Sequence, residues 1–182
     1  MKRTTSIASV FGALCFSLAL SSHALTLEID AQDHSYNAGS GAGLDTGLVL
    51  NVGDLISVTV DTNDTWSAGA GAIRTGNADG LDGFSNYTTP DGSFKFGSLV
   101  GEINGVFFLI GTSFNGVAQA AGTLRLFYWD NNSGDNSGSV FANVEVTPVP
   151  LPAAAWLFVS ALVGLIALRR RKAPTRAELA TA

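Results

Sequence analysis

Cysteine, histidine and, over most of the chain, basic residues are scarce. Among 182 residues there are one cysteine, Cys15, and two histidines, His23 and His34. One thiol cannot form a disulfide within the chain, and two histidines exclude a histidine-rich zinc site. A histidine-based triad would have to centre on His34, for which a surface or packing role is the expectation, and no glycine-rich nucleotide motif is present. Between residues 25 and 148 lie 14 of the 15 carboxylates, against Arg74, Lys95 and Arg125, a net charge of −11. Such a surface repels nucleic acid and attracts cations, although acidity also serves solubility alone. Some pair among 14 carboxylates falls close by chance, so proximity is weak support for glycoside hydrolysis. The expectation is a non-enzyme.

What the chain does have begins at its ends. Lys2 and Arg3 precede a mostly apolar run from Ile7 to Leu20, and Ser22-His23-Ala24 offers small residues for cleavage after Ala24. This reads as a signal peptide over residues 1–24, with an uncleaved membrane helix as the alternative. Cys15 has Leu14 before it and fits a lipoprotein cleavage site poorly. At the other end, Val149-Pro150-Leu151-Pro152-Ala153 leads into 16 apolar residues ending at Leu168, then Arg169, Arg170, Arg171 and Lys172. Sixteen residues make about 24 Å of helix, somewhat short of the roughly 30 Å hydrocarbon core, and proline is tolerated in a first helical turn. The expectation is a marginal transmembrane helix with its basic end cytoplasmic, followed by a tail over residues 173–182. A buried core helix is opposed by four consecutive cations.

Residues 25–148 suffice for one domain. Short alternating or β-branched runs recur at Leu25–Ile29, Thr46–Leu50, Leu55–Val60, Phe94–Val100, Val106–Ile110, Thr123–Trp129 and Ser139–Val146. Asn51-Val52-Gly53-Asp54 reads as a turn, and Asn104-Gly105 and Asn115-Gly116 stand between runs. No interior stretch carries a capped 3.6-residue apolar stripe. The fold class expected is all-β, a small antiparallel sandwich or barrel in which Leu55, Val58, Phe107, Leu109, Leu124, Leu126 and Phe141 need a second sheet. Phe127 and Tyr128 put aromatics on both faces of one strand, which means either a strand covered by a loop or a binding platform. Residues 61–90, rich in Gly and Ala, hold either a functional loop or short strands without a clear pattern.

The strongest chemical candidate is the loop Asp130-Asn131-Asn132-Ser133-Gly134-Asp135-Asn136-Ser137-Gly138-Ser139. Calcium takes six to eight hard oxygens. Asp130, Asp135 and Asn136 provide three such side chains, and Gly134 permits the sharp turn between them. The same residues are also those of ordinary hairpin loops, and no glutamate closes an EF-hand spacing.

Two resemblances sharpen this reading. The tail Val149–Lys172 resembles the VPLPA-type sorting segment of the PEP-CTERM class, which implies a Gram-negative exported protein. The resemblance further implies transient anchoring in the inner membrane, processing by an exosortase-like protease, and delivery to the cell surface or extracellular matrix. Gly122–Asp130 with Asp135–Ser139 resembles the C-terminal half of calcium-dependent galactose-binding bacterial lectins, which have the galactose-binding-like β-sandwich, and Leu48–Val58 resembles their early strand, turn and strand. The lectin resemblance implies Ca2+ held by the side chains of Asp130, Asp135 and Asn136 and by backbone carbonyls of Leu50 and Ser133. It also implies sugar contacts from Asp130 and Asp135. The histidine and glutamine with which those lectins hold sugar are missing from residues 61–90. Trp66, Tyr87 and Trp129 are the candidate stacking residues, and Asp79, Asp82 and Asn86 could receive sugar hydroxyls.

The function expected is an exported surface or matrix protein carrying a calcium-dependent module for a neutral glycan or exopolysaccharide. The alternative is a non-catalytic structural component of the matrix or envelope. Mass spectrometry of the mature surface protein should find Arg169–Lys172 gone; an intact basic cluster there would reject processing and restore a permanent anchor.

Overall fold

The computed structural model describes residues 22–36, 43–149 and 153–171. Among the described residues twelve strands form two main antiparallel sheets and a hairpin. The first sheet is organised by β12 (Asn136–Thr147), the longest strand. Its inward residues Val140, Ala142, Val144 and Val146 are buried, while Phe141, Asn143 and Glu145 face outward, the alternation a half-buried strand requires. Along β12, Ser139–Val146 pair with β1 (His23–Asp30) and Ala142–Thr147 with β3 (Leu55–Val60). Its first three residues pair with β4 (Trp66–Ala68), which in turn pairs with β5 (Thr75–Gly76). Beyond β3 lies β10 (Ser113–Val117).

The second sheet runs in the order β2 (Leu44–Leu50), β11 (Gly122–Tyr128), β8 (Leu99–Ile103) and β9 (Val106–Leu109). Leu124, Leu126 and Tyr128 face the core between the sheets, where Ile56, Val58, Leu99 and Ile103 join them. At the C-terminal end of β11 the opposite face is buried too, while Thr123 and Arg125 before it are half-buried. Phe127 and Trp129 cluster there with Tyr36 and Val100, under Tyr87 and Phe94 of the hairpin β6 (Asn86–Thr89) and β7 (Gly92–Lys95). Tyr36 lies 4.3 Å from the Trp129 ring and its hydroxyl donates to Asp91. The aromatic strand is therefore a covered one; the binding-platform reading is corrected.

Several sequence expectations change for identifiable reasons. The run Phe94–Val100 is broken between β7 and β8, because Gly97 takes φ 73° and a Cβ there would meet Leu81 at 2.8 Å. Asn115-Gly116 lies inside β10, whereas Asn104-Gly105, both at positive φ, makes the β8–β9 turn. Asn51–Asp54 joins strands of different sheets, held by Asp54 Oδ2 accepting the Asn51 N–H. The stretch 61–90 contains β4, β5 and β6. Leu55, Leu109 and Phe141 are exposed, because strand alternation turns Ile56, Val140 and Ala142 inward in their place.

The C-terminal helix α1 (Ala153–Arg171) begins at the expected residue and runs three residues past Leu168, with Leu157–Ile166 exposed. Among the described residues no helix is long and apolar enough to cross a membrane. The membrane span expected here thus receives no support from the structure. Val149 donates its N–H to Asp54. Residues 1–21 with Cys15, the triplet Pro150-Leu151-Pro152, and residues 172–182 lie outside the described residues. Cleavage after Ala24 would remove the first two residues of β1, which are exposed.

Candidate functional site

The Asp130 loop is fixed from both ends. After β11, Trp129 donates its N–H to Ser98 and accepts one from Gly97. On the other side, Ser35 bridges to Tyr128 and its hydroxyl donates to the Asp130 carbonyl at 2.9 Å. Asp130 is thereby drawn inside, only 2% exposed. Its Oδ1 accepts the Asn132 N–H, and Asn132 then donates its side-chain amide to Asp135 Oδ1 at 2.7 Å. A single 3₁₀ turn, Ser133–Asp135, delivers the chain to Asn136, whose N–H donates to the Ser133 carbonyl.

Asn136 carries the most informative atom. It is buried, and its Nδ2 donates to the Ala31 carbonyl at 3.1 Å and to the Ser35 hydroxyl at 3.3 Å. Its Oδ1 is buried with no donor. Turning the amide over would forfeit both bonds, so the network fixes the oxygen's direction. A buried oxygen without a partner costs about 1–3 kcal/mol, and a buried carboxylate without a counter-charge costs more. Burial pushes the Asp130 carboxyl above its usual range; the backbone N–H groups of Asn132 and Asn131 and the Asn136 side chain oppose this, and the charge of Asp135 adds to it. Burial and the same two carboxylates also raise the phenol of Tyr128, whose hydroxyl has no partner.

These oxygens fit a hard cation. Among the described residues no group of three or more His, Cys, Asp or Glu side chains could hold a metal. Two carboxylates with an amide and carbonyl oxygens make a different donor set, one suited to Ca2+ and unsuited to zinc or softer metals. Asp135 is exposed at the rim, and Ser133 keeps one carbonyl lone pair after accepting from Asn136. Leu50 does not belong here. It pairs with Gly122, eight residues before Asp130 along the extended chain, roughly 26 Å away at about 3.3 Å per residue. The antiparallel course of β2 puts its last residue at the wrong end of β11.

Opposite Asn136, across β4 and β12, stands Ala68 with its carbonyl. It accepts from Arg74 Nη1 at 2.9 Å, and the guanidinium lies 5.6 Å from the Phe84 ring centroid. A Cβ on Gly69 would sit 2.8 Å from Asp135 Oδ2. Neither Ala68 nor Arg74 was singled out by the sequence; the Gly and Ala residues at 68–72, which allow this close approach, were the available sign.

The stacking residues are mostly withdrawn. Trp66 is 1% exposed, packed edge-on to Tyr128 at 4.5 Å, and its indole N–H is shared by the carbonyls of Asn77 and Gly97. Trp129 is fully buried and donates to the Tyr87 carbonyl. Neither ring presents a face to a ligand, a correction to the sequence expectation; Tyr87 is half-buried and retains some exposure. Asp79 is engaged by Thr112, Asp82 by Lys95, and Asn86 opens β6 exposed. His34 accepts the Asp30 N–H on Nδ1, a turn-capping role.

A carboxyl whose pKa rises on folding favours the folded state while protonated and loses that advantage as pH climbs through the raised value. In metal-free buffer, thermal stability should therefore contain a component that falls as pH rises from about 4, the ordinary carboxylate range. Calcium should suppress it and Asp130→Asn should abolish it. Identical pH slopes for Asp130→Asn and the native chain in chelator would contradict this account of the site.

No protein-family model matches the chain, and no curated protein matches it. Three chains of solved structures do. One, described as the N-terminal domain of EclA, a PllA-like lectin, is 22% identical, with a TM-score of 0.48 over 67% of this chain and 93% of that one.

Proposed function

We propose that residues 25–148 form a carbohydrate-binding module in which Ca2+, held by Asp130, Asp135 and Asn136 with the Ser133 carbonyl, presents open coordination positions to the hydroxyls of a neutral glycan. The observation that carries the reading is the buried, donorless Oδ1 of Asn136 beside the buried Asp130. A divalent cation satisfies both at once, and calcium's flexible shell leaves room for ligand oxygens. Tyr87 is the remaining aromatic candidate at a sugar face, and the exposed Asp135 is the candidate acceptor.

The setting proposed is outside a Gram-negative cell. The signal-like residues 1–24 and the sorting-like tail Val149–Lys172 support export and processing by an exosortase-like enzyme. A second reading is a structural matrix or envelope protein in which the cation only braces the loop. The burial of Trp66 and Trp129 favours it, since a sugar then lacks the usual stacking rings.

A glycan array probed with the full chain, purified in detergent, separates the two. Binding to neutral glycans that disappears on chelation is the expected result. Binding unchanged by chelator would sink the calcium mechanism, and calcium stabilisation without any glycan binding would favour the structural reading.

A further inference from the structure

A cavity of about 670 Å³ shares no lining residue with the Asp130 loop. Its volume lies within the range of small-molecule sites. Its walls come from the β3–β4 connection, the turn Ala72–Arg74 that precedes β5, and the segment 77–82.

Those walls are tied in place by the backbone. Gly80 donates to the Asn77 carbonyl, Leu81 to Phe96 and Leu99 to Ala78. The Asn77 amide donates to the Thr62 carbonyl while its oxygen accepts the Asp79 N–H. Asp79 is spent on Thr112, accepting both its N–H and its hydroxyl. The cavity is therefore formed before any ligand arrives.

At one side lies the ion pair Lys95–Asp82, with 2.8 Å between Nζ and Oδ1. Gly80 sits at φ 95°, where a Cβ would come within 2.9 Å of the Phe96 carbonyl and 3.0 Å of Lys95 Cγ. The missing side chain thus leaves room for the lysine stem beside the backbone. The Asp82 side chain stands wholly in solvent at the cavity rim, while Lys95 is about two-thirds covered, and Thr65 and Thr75 are exposed among the lining residues. Ile73, 74% exposed, supplies an apolar wall.

We infer that this cavity is a second binding site, independent of the calcium site, for a neutral saccharide whose adjacent hydroxyls are read by the Lys95–Asp82 pair and whose apolar C–H face rests on Ile73. A carboxylate accepts two hydroxyl protons while the neighbouring ammonium donates to a hydroxyl oxygen, so the pair matches a vicinal diol. Charged ligands fit less well. An anion would have to compete with Asp82 for Lys95 beside Asp79, and a cation would meet the lysine.

The test is amide NMR of the full chain in a sugar-free detergent, titrated with lactose, cellobiose and maltose, with and without EDTA. At least one disaccharide should shift the amides of Thr75–Asp82 and Lys95 whether or not EDTA is present. Lys95→Met, which keeps the stem on Gly80, and Asp82→Asn should each weaken binding by about tenfold or more. No shift with any of the three sugars, or shifts that both variants leave unchanged, would overturn the inference. Shifts confined to residues 130–136 would overturn it too, while leaving the calcium reading standing.

Discussion

One residue ties the fold to the site: Asn136 is both the first residue of β12 and the owner of the unpaired buried oxygen. The long strand holds β1, β3 and β4, so its starting point fixes where the first sheet begins. The amide that sets this start donates to Ala31 and Ser35, and its oxygen is buried without a partner. Stability and binding potential therefore meet in one side chain. The arrangement leaves buried oxygen unsatisfied, and a cation is the simplest partner that the donor set accommodates.

The second sheet meets its own constraint by burying both faces at the end of β11. Leu124, Leu126 and Tyr128 fill the space between sheets, and Phe127 and Trp129 are capped by Tyr36 and the β6–β7 hairpin. Because the strand is locked on both sides, its continuation Trp129–Asp130 has little freedom, and the loop's first carboxylate is delivered at a fixed place. The same packing withdraws Trp129 from any ligand. Candidate binding chemistry thus moves from aromatic faces to oxygens, and to the Lys95–Asp82 edge of the separate cavity.

Strands with β-branched alternation were legible in the sequence: β2, β3, β9, β11 and β12 stand close to where their patterns put them. Strands β4, β5, β6 and β10 were not, for a physical reason. Their residues are largely Gly, Ala, Ser, Asn and Thr, without the β-branched or aromatic run that marks β9, and their stability comes from neighbours: Trp66–Ala68 exists as a strand because Asn136–Gly138 pairs with it. Asn115-Gly116 carries a turn-like pair yet is extended, since pairing with Ser57 and Ile56 overrides local preference. Asp130, Asp135 and Asn136 stand together because only six residues of chain separate the first from the last. Leu50 failed because a strand can match in sequence while its register carries its end away from the loop. Ala68 and Arg74 reach the site only through pairing across β4 and β12, which spacing along the chain does not encode.

Calorimetric titration of Ca2+ into the metal-free full chain tests the central claim most directly, because it asks whether the oxygen cluster takes a cation without reference to any glycan. One calcium per chain, lost in Asp130→Asn and weakened in Asn136→Leu, is the result the account predicts. No calcium binding by the native chain, or binding equally tight in both variants, would contradict it.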